Sequence, residues 1–138
     1  MNKTYFLGSN TAYGFFGDFS HLTRGKTVIL KGGAGTGKST LMKKVNEIAL
    51  DAGFMTETYR CSSDVSSFDA VFVPSKNFAV IDGTSPDVTE AEIPLVSGFV
   101  FNLLDAADEK KIAPYKDDIK YAVSCKKQYF NDAYCNLN

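Results

Sequence analysis

Apolar and polar positions along the 138 residues change period several times, and each change predicts an element. Residues 4–7 (Thr-Tyr-Phe-Leu) read as a short strand ended by Gly8-Ser9-Asn10. Phe15, Phe16, Phe19 and Leu22 fall at helical spacing, with Gly25 placed as a stop, which predicts a helix over 13–22. Val28, Ile29 and Leu30 form a β-branched apolar run and predict a buried strand. Leu41, Val45, Ile48, Ala49 and Ala52 make one apolar stripe, with Gly53 where a C-terminal cap belongs, so a helix follows. Residues 54–60 read as the next strand, and residues 61–67 (Cys-Ser-Ser-Asp-Val-Ser-Ser) as a polar loop at its end. Residues 70–73 and 78–82 are two more strand-like runs, split by Pro74-Ser-Lys-Asn77. The stretch 62–77 is long enough for a parallel crossover. No strand is predicted from Ile93 onward. Residues 99–107 read as a helix, and 116–134 as a long amphipathic helix carrying Ile119, Ala122, Val123, Tyr129, Phe130, Ala133 and Tyr134.

Between the first buried strand and the first long helix lies the most informative stretch. Gly32, Gly37, Lys38 and Ser39 satisfy G-x-x-x-x-G-K-[ST] within Lys31-Gly-Gly-Ala-Gly-Thr-Gly-Lys-Ser-Thr40, in a strand–loop–helix setting. Glycines without Cβ let the chain approach an anion closely. Successive amides then form an anion nest, and the helix N-terminus adds partial positive charge. The candidate binding residues are Gly32, Gly33, Ala34, Gly35, Thr36, Gly37, Lys38, Ser39 and Thr40. Lys38 is the catalytic candidate, reaching the β- and γ-phosphates, and the Ser39 hydroxyl is placed for Mg²⁺.

A second half of such a site is expected from Phe-Ala-Val-Ile-Asp at 78–82. A carboxylate ending a buried strand beside the loop strand serves Mg²⁺, so Ser39 and Asp82 are the metal candidates. Asp82 is followed by Gly83, not by a glutamate that could polarise an attacking water. Thr84, Asp87, Glu90 and Glu92 are the nearby substitutes, and nothing selects one. Binding is better supported than turnover. Weaker candidates are Asn10 and Thr11 for the nucleotide, the aromatic run at 13–22 for a base, and Ser62 or Asp64 for a second substrate. Each of these also reads as core or as a polar turn.

Charge and cysteines narrow the classes further. With 44% apolar and 22% charged residues the chain is ordinary globular material. Its net charge of −1 gives no reason to expect nucleic acid or a membrane surface as partner. Six cations and no acid lie between Arg24 and Lys44, and seven acids without Lys or Arg lie from Asp82 to Glu109. That asymmetry suits a metal–nucleotide ligand, or simply two solvated faces of opposite sign. Cys61, Cys125 and Cys135 have no metal-ligand spacing and are read as reduced thiols of a cytoplasmic protein. His21, the lone histidine, leaves no room for Ser–His or multi-histidine metal chemistry. No signal-peptide core or membrane-length apolar run is present.

The loop together with Ile-Asp-Gly-Thr resembles the P-loop NTPase superfamily. More narrowly, the chain is similar to uncharacterised bacterial ATPase-like proteins with two P-loop modules in one longer chain. The likeness is carried by Asn10, Thr11, Gly14 and Phe15, by residues 31–40, by Cys-Ser-Ser-Asp at 61–64, and by Ile-Asp-Gly-Thr-x-Pro at 81–86. In those relatives a histidine commonly follows Thr-x-Pro, where this chain has Asp87, so no role of that histidine carries over. The resemblance implies a three-layer α/β/α fold with a mainly parallel sheet, truncated here, and a helical C-terminal segment. The expected divisions are 1–26, packing on the module, 27–92, the nucleotide-binding core, and 93–138, helical. The expected ligand is ATP with Mg²⁺. GTP is the alternative, disfavoured because no N-K-x-D motif occurs. Three functions stay open: an ATPase within a larger assembly or longer chain, a small-molecule or nucleotide kinase with a second substrate, and a non-hydrolysing regulatory module with a protein partner.

Overall fold

The computed structural model describes residues 1–84 and 96–137. The strands are β1 (Asn2–Phe6), β2 (Gly8–Thr11), β3 (Gly14–Gly17), β4 (Lys26–Lys31), β5 (Thr56–Arg60), β6 (Phe68–Val73), β7 (Phe78–Asp82) and β8 (Gly98–Asn102). The helices are α1 (Lys38–Asp51), the single turn α2 (Glu109–Ile112) and α3 (Lys116–Asn136). Among the described residues, six strands form one α/β sheet in the order β1-β5-β6-β7-β4-β8, while β2 and β3 pair separately. The β1–β5, β4–β7 and β4–β8 pairs are parallel, whereas β6 runs antiparallel to both β5 and β7. No described helix is long and apolar enough to cross a membrane.

Strand alternation sends side chains to two cores. On one face Leu30, Phe68, Val71 and Val80 pack against Met42 of α1. On the other, Tyr59, Ala70, Ala79 and Ile81 pack against Phe19 and Leu22. Leu22 is 1% exposed, so Leu22→Ala is expected to cost about 3 kcal/mol in urea unfolding. A loss near zero would show that this second face is not a core.

Four expectations are corrected. The helix over 13–22 is instead the β2–β3 hairpin followed by a 3₁₀ turn at Ser20–Leu22. The Phe15 ring lies against Gly8, where a Cβ would collide with it, and Thr11 Oγ1 donates to the Gly14 carbonyl at 2.9 Å to close the turn. Phe19 and Leu22 of this segment therefore pack on the second face. The expected crossover over 62–77 is absent. The Cys61 N–H donates to the Ser67 carbonyl at 3.1 Å, and this tight closure returns the chain antiparallel as β6.

Residues 98–102 form β8, not a helix, because β4 offers an open edge to Phe99, Val100 and Phe101. The expectation of a truncated module rested on the lack of strands after Asp82, and β8 removes that ground. Helix α1 forms as expected but is rotated. Met42, Asn46 and Ala49 are buried, whereas Leu41 and Ile48 of the expected stripe are 37% and 62% exposed. Helix α3 also forms, with no buried residue.

Candidate functional site

Strand β4 delivers the loop to the sheet edge, and α1 leaves from it. Gly32, Gly35 and Gly37 have φ of 153°, 78° and 92°. At Gly37, the N-cap of α1, this left-handed backbone is what only glycine adopts without strain. A Cβ on Gly33, Gly35 or Gly37 would meet nothing within 4 Å, so open space adjoins the main chain there. The first N–H groups of a helix have no partner within it, and those of α1 begin at this loop. The loop is thus glycine-lined, open beside its main chain and placed at the N-terminus of α1.

Lys38 is buried at 9% exposure. Its ammonium donates to the Gly32 and Gly33 carbonyls at 2.7 and 2.8 Å, and Asp82 Oδ2 lies 3.7 Å away. Lys38 and Asp82, far apart in sequence, are thus brought together. Asp82 Oδ1 accepts from the Thr84 N–H at 3.0 Å. The Thr84 hydroxyl sits between Asp82 Oδ1 and the Gly32 carbonyl and donates to one of them. Thr84 therefore orients Asp82. Lys31 Nζ donates to the Gly83 carbonyl at 2.7 Å. Ser39 Oγ accepts from the Phe68 N–H at 3.0 Å, joining the start of α1 to the start of β6. Thr40 is exposed, and Asp87, Glu90 and Glu92 lie outside the described residues.

Most of the weaker candidates also make hydrogen bonds within the fold. The Asn10 amide donates to the Ser62 and Ser63 hydroxyls at 3.2 Å each, and its oxygen accepts from the Tyr134 hydroxyl at 3.0 Å. Asn10 thereby ties the hairpin to the polar loop and to α3. Asp64 accepts from the Ser66 and Ser67 hydroxyls at 2.6 Å, and these bonds hold its carboxyl below the ordinary range. Phe19 is core, and Phe16 is 60% exposed. A cleft of about 600 Å³ between Leu104, Ile112 and Ile119 shares no residue with the loop.

Among protein families, curated proteins and solved structures, none matches the chain. What the site can do therefore rests on its own chemistry. No described group of three or more His, Cys, Asp or Glu could cage a metal. Magnesium does not require one, because it is held by one or two protein oxygens together with substrate phosphates and water. Ser39 and Asp82 are oxygen donors of that kind, and the Lys38 ammonium lies 3.7 Å from Asp82.

One polar residue escaped the sequence reading. Asp69 is the second residue of β6, after Phe68, and the only signal was an acid just before the apolar run at 70–73. Burial pushes its carboxyl up to about 6. The Cys61 thiol donates a hydrogen bond that opposes the shift, and the nearby Asp82 charge adds to it. Between about 4 and 6 the folded chain therefore holds a proton that the unfolded chain has lost, and stability falls as pH rises through that window. Asp69→Asn removes this penalty. The variant is expected to gain about 1–2 kcal/mol over the parent at pH 7.5, after allowance for partial exposure, and nothing at pH 4. Urea unfolding at the two pH values checks it, and a pH-independent difference contradicts it.

Proposed function

We propose that this chain is a P-loop NTPase domain that binds Mg–ATP at residues 32–40 and acts within a larger assembly or longer chain. The three-layer α/β/α architecture and a cytoplasmic setting belong to the same proposal, with α1 as the layer that bears on the site. One observation carries the reading: Lys38 Nζ and Asp82 Oδ2 lie 3.7 Å apart beside a glycine-rich loop whose backbone borders open space.

Each residue then has a task. Main-chain amides from Gly33 to Ser39 chelate the phosphate tail, and Lys38 leaves the Gly32 and Gly33 carbonyls for the β- and γ-phosphate oxygens. The Ser39 hydroxyl and the Asp82 carboxylate would hold Mg²⁺, and Thr84 fixes the Asp82 carboxylate through Oδ1. Bound magnesium supplies neutralisation of charge on the β- and γ-phosphates. Titration calorimetry with Mg–ATP, Mg–GTP and metal-free ATP tests the reading. Saturable binding that favours Mg–ATP supports it, and no binding to any of the three refutes it. Release of γ-phosphate, alone and with added metabolites, then separates hydrolysis, transfer to an acceptor, and binding without turnover.

A further inference from the structure

We propose that Asp69 is the carboxylate that orients the nucleophile toward the γ-phosphoryl group, a role that rests on the nucleotide reading above. The position of Asp69 comes from a fault in one ladder and the regularity of another. Against β5, Ala70 pairs with Tyr59 but Phe68 pairs with Arg60, so Asp69 is the extra residue of a β-bulge. Against β7 the ladder runs unbroken from Val73↔Phe78 to Ala70↔Ile81. The ladder ends there, and its register continued by one residue puts Asp69 beside Asp82. Bulges concentrate at sheet rims beside active sites, where they re-aim a side chain.

Residues directly opposite in an antiparallel pair have Cβ atoms about 4.5–5.5 Å apart, and like charges so placed repel. The register thus brings Asp69 near Asp82, whose charge acts on its carboxyl, on the side where Asp82 meets Lys38. A purely structural bulge gains nothing from the second acid. The residue is also fixed from three sides. The Cys61 thiol donates to its carboxylate, the neighbouring Phe68 N–H grips Ser39 Oγ, and Ala70 is fully buried. Meanwhile Thr84, the described polar residue after Asp82, is engaged with Asp82 itself. The orienting group missing after Asp82 is thereby supplied from the adjacent strand.

In the step this supports, Asp69 accepts a hydrogen bond from one hydrogen of a water and aims its oxygen at the γ-phosphorus. The oxygen bonds to phosphorus as the bond to the β–γ bridging oxygen breaks, and the electron pair leaves on ADP. The other water proton passes to a γ-phosphoryl oxygen, so ATP and water give ADP and dihydrogen phosphate, with Asp69 unchanged.

Asp69→Asn, close in size and shape, provides the test by two readouts: γ-phosphate release from Mg–ATP, and calorimetric affinity for Mg–ADP with and without aluminium fluoride, which mimics the phosphoryl group in flight. Mg–ATP affinity is expected to stay within about threefold of the parent while release falls about a hundredfold. The tightening of ADP by aluminium fluoride in the parent is expected to vanish in the variant. Tightening retained in the variant, or absent from a parent that binds Mg–ATP, overturns the role of Asp69 and leaves nucleotide binding standing. A parent that binds no Mg–nucleotide overturns both.

Discussion

Lys38→Ala is expected to weaken Mg–ATP binding by more than about a hundredfold, close to 3 kcal/mol. The ammonium is buried and its described partners are two carbonyls of the loop and Asp82, groups that a triphosphate oxygen can replace. Charge-assisted hydrogen bonds in such a shielded site are the strong kind. The same substitution leaves Asp82 without its cation, so some loss of stability accompanies it. Calorimetry on the folded variant separates the two effects, and affinity within threefold of the parent would refute the assignment of Lys38.

Gly37→Val is expected to abolish measurable Mg–ATP binding and to lower stability by about 1–3 kcal/mol. With φ at 92°, Gly37 holds a backbone that a β-branched residue adopts only under strain. The space beside it is open, so the added methyl groups meet no protein atom at Cβ and occupy that space instead. Gly37→Ala, with less bulk and the same backbone demand, should show a similar stability loss and retain more binding. If the valine variant binds as the parent does, the loop is not where the phosphates go.

Legibility in the sequence followed the reach of the causes. Residues 26–51 were readable because strand, loop and helix are contiguous and each is set by its own residues. Asp82 was readable because a buried apolar run ending in an acid is also local. The rotation of α1 was not. Placing Lys38 inward turns Met42 and Asn46 onto the sheet and carries Leu41 and Ile48 outward, a consequence of docking and not of periodicity alone. The phenylalanines at 15, 16 and 19 fit helical spacing, but close packing of Phe15 against Gly8 decides for a hairpin. Strand β8 exists because β4 has a free edge, which no local pattern announces. Asp69 was missed for the same reason, since its meaning lies in a cross-strand neighbour.

The bulge at Tyr59/Arg60 also makes loop length a determinant of chemistry. The extra residue in β6 lets one strand keep step with β7 while falling out of step with β5. A single deletion within 61–67 would have to absorb that residue, and would displace Phe68, which is buried in the core with Leu30 and Met42. The length of that short turn is therefore tied to the core as much as to the rim, because the residue that would move first, Phe68, also donates its backbone N–H to Ser39 Oγ.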